Sequence, residues 1–101
     1  MNRALALARS YGVAVRFADL GDWAPAELRS EYDPAVPEIR LNLRVALRLS
    51  PGELGEFIAL AIGHELYHHR EAIREVPRLR DRGARESAAD GFARTLLGPS
   101  A

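Results

Sequence analysis

The chain has 101 residues, close to half of them apolar, and its 14 basic and 14 acidic side chains cancel to zero net charge. That length suits one domain with one modest core, and the balanced charge offers neither a basic face for nucleic acid nor an acidic tail. Without cysteine there is no disulfide framework and no thiolate metal site, and the basic residues are all arginine, a bias that a GC-rich genome accounts for.

In chain order, "MNRALALARS" carries an apolar run too short for a signal sequence and broken by Arg9. No stretch is long enough to span a membrane, so a cytoplasmic protein is expected. Residues 2–11 read as a short helix with Leu5, Ala8 and Tyr11 on one side and Gly12 as its stop. "VAVRF", residues 13–17, alternates and reads as a strand. "GDWAPAEL" carries turn residues and room for one helical turn. In "SEYDPAVPEIRLNL" a turn falls between Tyr32 and Pro37, followed by a strand over Ile39 to Leu43. The two prolines before that strand suggest a sheet edge.

The next element is the most strongly marked. Ser50-Pro51-Gly52-Glu53 is a capping box, with proline at the first helical position, where its missing N–H costs nothing. The helix is expected from Pro51 to about Ile73, with a wide apolar arc of Leu54, Phe57, Ile58, Ala61, Ile62 and Leu66. After Pro77 and the "RLRDRG" turn, a last helix is expected from Ala84 to Leu97, ended by Gly98-Pro99.

All three histidines fall in "IGHELYHHREAI", on the long helix. At about 100° per residue, His64 and His68 lie about 40° and one turn apart, so one nitrogen from each can close on one zinc ion. Glu65 is rotated to the side, where it misses the metal yet can take a proton from a water there. This is the His-Glu-x-x-His arrangement of zinc hydrolases. The bland alternative is a pair of solvated histidines. His69 sits at the wrong angle to share the ion and reads as solvated, and Tyr67 reads as an amphipathic edge residue.

A catalytic zinc needs a third protein ligand. Glu71 lies on roughly the same face but about 10 Å along the axis from His64, so the ligand has to come from another element. The last helix, "ESAADGFARTLL", places Glu86 and Asp90 on the face that carries Ala89, Ala93 and Leu97, which reads as the buried one. A buried carboxylate needs a cation or a hydrogen bond. Glu86 either binds the metal or lies in solvent at the helix start. Asp90 is placed to accept the outer N–H of His64.

With these residues in view, "AIGHELYHH" followed by "ESAADGFARTLLGP" resembles the ImmA/IrrE family of small bacterial zinc peptidases, within the gluzincin group. Another minimal gluzincin family is a close second. The likeness covers roughly residues 31–100: "EIRLN" matches a strand ending in Asn42, and Glu86, Ala89, Asp90, Phe92, Ala93, Leu96, Leu97 and Pro99 match the later helix. The resemblance implies Glu86 as third zinc ligand and Asp90 as its supporting group. Where relatives often have Gly before the second histidine, this chain has Tyr67. Many relatives also carry further helices, a sensor-like domain or a helix-turn-helix segment, and none is found in these residues.

The expected fold is α+β, a small zincin-like domain over residues 1–101. An N-terminal helix, a short three-stranded sheet, the long helix of His64 and the helix of Glu86 would compose it. The expected activity is zinc-dependent hydrolysis of a peptide bond in a cytoplasmic protein. Metal ligands would be His64, His68 and Glu86, with Glu65 as general base and Asp90 behind His64. Substrate would pair with the strand at Ile39 to Asn42. By resemblance, the substrate is a protein such as a helix-turn-helix repressor, with no direct contact to nucleic acid or membrane. Two other readings stay open from the residues: a catalytically silent zinc-containing interaction module, and a plain structural domain without metal.

Overall fold

A computed structural model describes residues 2–97 of the chain. It is an α+β molecule with element order α1 (Arg3–Ser10), β1 (Ala14–Ala18), β2 (Ser30–Asp33), β3 (Glu38–Asn42), α2 (Leu43–Ala46), α3 (Pro51–Ala72) and α4 (Arg82–Thr95). The expected stop at Gly98-Pro99, and the matched Pro99, lie outside the described residues.

Local signals explain most boundaries. The Asn2 side chain caps α1 by accepting from the Leu5 N–H. Gly12, at φ +70°, makes the left-handed exit toward β1. At α3 the capping box is complete: the Ser50 side chain accepts from the Glu53 N–H, and the Glu53 side chain accepts from the Ser50 N–H. Asp81, read from sequence as part of a turn, caps α4 at 2.7 Å from the Ala84 nitrogen, so that helix begins at Arg82, two residues early. The segment around Ala24-Pro25 makes a turn and no helix.

The sheet runs β1-β3-β2, with β1 parallel and β2 antiparallel to β3. The strand expected at an edge is therefore the central one. Pro34 and Pro37 fall in the turn between β2 and β3, so they shape the hairpin and cost the sheet no ladder hydrogen bond. The strand also stops one residue early. Asn42 ends it, and its side chain caps the short helix α2 by accepting from the Arg44 N–H.

Alternation along β3 divides the sheet into two faces. Ile39 and Leu41 point inward and are almost wholly buried. Arg40 and Glu38 lie on the other face, in a row of ion pairs with Glu31 and Arg16. Helices α1 and α3 cover the inner face, and the core gathers Ala4, Ala8, Ile39, Leu41, Phe57, Ile62 and Leu66. Each large apolar side chain sunk there contributes ~1.5–3 kcal/mol.

Helix α4 lies across the other side of α3. Its Ala89 and Ala93 are fully buried, with Phe92 and Leu96 half-buried beside them. The crossing is tight at Gly63. A Cβ placed there would lie 2.7 Å from Ala93 Cα and 2.9 Å from Ala93 Cβ. Small residues on both helices bring the backbones together, and that approach places α4 side chains beside those of α3.

Candidate metal centre

Where α3 and α4 cross, His64 and His68 stand one turn apart with Nε2 atoms 3.3 Å from each other. The Glu86 carboxylate, arriving from α4, lies 2.8 Å from His64 Nε2 and 3.6 Å from His68 Nε2. A tetrahedral ion with ligands at about 2.0–2.1 Å sets its donor atoms about 3.3 Å apart. The three separations bracket that value.

The outer ring nitrogens are both engaged. His64 Nδ1 lies 2.7 Å from Asp90 Oδ1, and His68 Nδ1 lies 2.7 Å from Glu71 Oε1. A carboxylate can only accept, so each Nδ1 carries the hydrogen. With Nδ1 so engaged, each ring can turn an Nε2 lone pair to the place where the Glu86 carboxylate also points. Three electron-pair donors converging there are what a metal ion satisfies, so the residues fit a metal.

Glu65 completes the group. His64, Glu65 and His68 each offer a ligand atom within 4.8 Å of the others, and together they could hold a metal ion. Glu65 is buried, and its Oε2 accepts from the Ser30 hydroxyl at 2.7 Å. Burial raises its pKa above the ordinary carboxylate value. The Ser30 hydrogen bond and the two neighbouring imidazoles oppose that rise, and Glu86 adds to it.

Two expectations are corrected here. Glu86 and Asp90 are not on the buried face of α4. Their side chains are 45 % and 57 % exposed, because the crossing is filled by Ala89 and Ala93 and the carboxylates stand at its rim. His69 is not solvated. It is buried between α1 and β2, edge-on to Tyr11 and Tyr32, with Nδ1 2.7 Å from the Tyr32 hydroxyl. Helix α3 is covered on both sides, so the angle that keeps His69 off the metal turns it into the core. Tyr67 is half-buried against Phe92.

Two participants were missed from sequence. Ser30 is 35 residues from Glu65, and only the path of β2 beside α3 joins them. Glu71 was weighed only as a metal ligand. Its carboxylate is buried under a bidentate pair with Arg85, at 2.9 and 3.1 Å. That pair holds its pKa below the ordinary carboxylate value, against the effect of burial. Its spacing from His68, one helical turn, is the signal that could have found it.

The centre opens into a cleft of ≈ 590 Å³, with Glu27, Arg29 and Ser30 on one wall and Glu86, Asp90 and Arg94 on the other. A smaller cavity of ≈ 420 Å³, bounded by Tyr32 and Arg85, shares Glu65, His68, Arg82 and Glu86 with it. The two cavities thus adjoin at the side chains they share. No helix among the described residues is long and apolar enough to cross a membrane. Comparison with family models, with curated proteins and with solved structures finds no match to this chain.

Proposed function

We propose that the protein is a zinc-dependent metalloendopeptidase that cleaves a peptide bond in a cytoplasmic protein. The observation that carries the reading is the convergence of His64 Nε2, His68 Nε2 and the Glu86 carboxylate beside a buried Glu65. Cysteine is absent and the donors are two imidazoles and a carboxylate, a set that suits zinc in a catalytic site. Zinc, when bound, supplies Lewis acidity and a water of lowered pKa.

The remaining work falls to the chain. Ser30 holds Oε2 of Glu65 and leaves Oε1 for the reacting water. A proton affinity raised by burial is the direction a general base near neutral pH needs. Glu65 takes the proton and returns it to the leaving amine. His69 is committed to Tyr32; Arg82, the arginine common to the walls of both cavities, is taken as the donor that steadies developing negative charge.

An extended substrate fits along β2. The β3 edge considered from sequence is taken by β1 and β2, whereas β2 has one free edge and Ser30 and Glu31 line the cleft. Resemblance to the ImmA/IrrE family makes a helix-turn-helix repressor of the same genome the first substrate to try.

The test has two stages. Protein purified without added metal is expected to carry one zinc per chain. His68→Ala should lose it and His69→Ala should keep it. At equal zinc loading, Glu65→Gln should cut at least about 100-fold more slowly than wild type. Equal rates would assign the cleavage to a contaminant or another site. Tight binding of the repressor with no cleavage by either protein would make the chain an interaction module.

A further inference from the structure

We propose that Glu71 is a positioning residue of the metal centre, clamped by Arg85 so that one buried carboxylate sets both His68 and the helix that delivers Glu86. The inference rests on the metal-centre reading above and adds to it residues that no ligand count includes.

Glu71 follows His68 by three residues and so shares its helix face. Its side chain is only 3 % exposed. A carboxylate so placed must be fully answered by hydrogen bonds or charge. Both oxygens are. Oε1 accepts from His68 Nδ1 at 2.7 Å and from Arg85 at 2.9 Å, and Oε2 accepts from Arg85 Nε at 3.1 Å. The guanidinium fork fixes the carboxylate plane as well as its position. The carboxylate in turn fixes the His68 ring, keeps its hydrogen on Nδ1 and turns Nε2 toward His64 and Glu86.

The second half of the clamp is its place in sequence. Arg85 is the residue before Glu86, so the fork that holds Glu71 also holds the start of α4 against α3. Asp90, one turn after Glu86, serves His64 Nδ1 in the same way. The two supports are unequal, for Asp90 is 57 % exposed and Glu71 is sealed. The sealed one is the less screened by solvent and salt. Because Glu71 is matched by Arg85, it orients His68 without adding net charge to the centre.

The test compares wild type with Glu71→Gln and with the double variant Glu71→Leu/Arg85→Met, which replaces the ion pair by apolar groups. Three quantities are measured: zinc affinity by competition with a chromophoric chelator, the visible spectrum of the cobalt(II) form, and the His68 tautomer by ¹⁵N NMR of the metal-free protein. Circular dichroism melts establish that each variant is folded. The expected result for the double variant is zinc affinity lowered about 10- to 100-fold, an altered cobalt spectrum, and His68 no longer held as the Nδ1–H tautomer. Glu71→Gln keeps the size and one acceptor and disturbs the fold least. It should show a smaller loss in the same direction, which keeps the inference exposed should the double variant fail to fold. Wild-type affinity, spectrum and tautomer in a folded variant would reduce Glu71–Arg85 to an ordinary ion pair. Wild type that binds no zinc would overturn the metal-centre reading, and this inference with it.

Discussion

His69 shows how far a single side chain's fate depends on what covers its helix. The pairing of His64 with His68 is legible from spacing alone, because side chains four residues apart on a helix meet on one face. Nothing local says whether the next residue meets solvent or core. Here Tyr11 from the end of α1 and Tyr32 from β2 enclose it, and the charge of Glu75 acts on it. Desolvation lowers its pKa from the usual 6.5, partly opposed by Glu75. The sign follows from linkage: in the unfolded chain His69 takes a proton that the folded one refuses, so stability is complete above about pH 6.5 and falls as pH drops through the folded value. Urea unfolding of wild type and His69→Gln across this range should therefore diverge, with the variant losing less stability per pH unit. Parallel curves would mean that His69 is as protonatable in the fold as outside it. Glu75, whose pKa is lowered by its Tyr11 hydrogen bond and Arg70, acts in the opposite sense of charge but the same sense of pH, and only in the more acidic carboxylate range.

At the scale of elements, three of the four described helices were legible, and the short α2 and one strand were not. Caps and apolar arcs mark α1, α3 and α4 within a few residues. Strand β2, "SEYD", has no alternation to find, since every residue in it is half-buried and the strand lies at an edge. The sequence pattern also placed Glu86 and Asp90 one turn apart but misjudged their depth. Depth is decided by the partner helix, and the deciding residue is Gly63. With Ala93 Cα at 2.7 Å from its would-be Cβ, Gly63→Ala has to push α4 away from α3. Overpacking of this kind costs about 1–3 kcal/mol, a fall in melting temperature of at least ~4 °C in a chain this short. Zinc affinity should fall with it, because Glu86 moves with α4. Gly55→Ala, on the same helix with open space at its Cβ, is the control. It should be neutral or stabilising by up to ~1 kcal/mol, the ordinary gain for glycine to alanine in a helix. Equal effects of the two substitutions would remove the crossing as the cause.

For the whole molecule, the question is what holds the outer wall of the cleft, since β1 and β2 are joined by a long segment without regular structure. The answer is Asn42, which the residue pattern left inside a strand expected to reach Leu43 and only the family resemblance put at its end. It is almost wholly buried, at 1 % exposure. Its Oδ1 accepts from the Leu20 and Arg44 N–H groups, and its Nδ2 donates to the carbonyls of Gly21 and Leu28. One amide thus ties the end of the central strand to both ends of the 20–28 segment and to the cap of α2. The backbone bond from Asn42 N to Arg29 O continues the seam into the residues that lead to Ser30 and so to Glu65. Asn42→Ala would strand these backbone groups, at ~1–3 kcal/mol for each left unsatisfied. The loss should be local before it is global. Hydrogen exchange of residues 20–29 is expected to accelerate well before that of α3, and the Ser30–Glu65 contact to loosen with it. Under the proposed function, activity should then drop while zinc stays bound, because the proposed ligands His64, His68 and Glu86 sit on α3 and α4 and not on this wall. Unchanged exchange in 20–29, or exchange that rises equally in α3, would show that the wall is held by something other than Asn42.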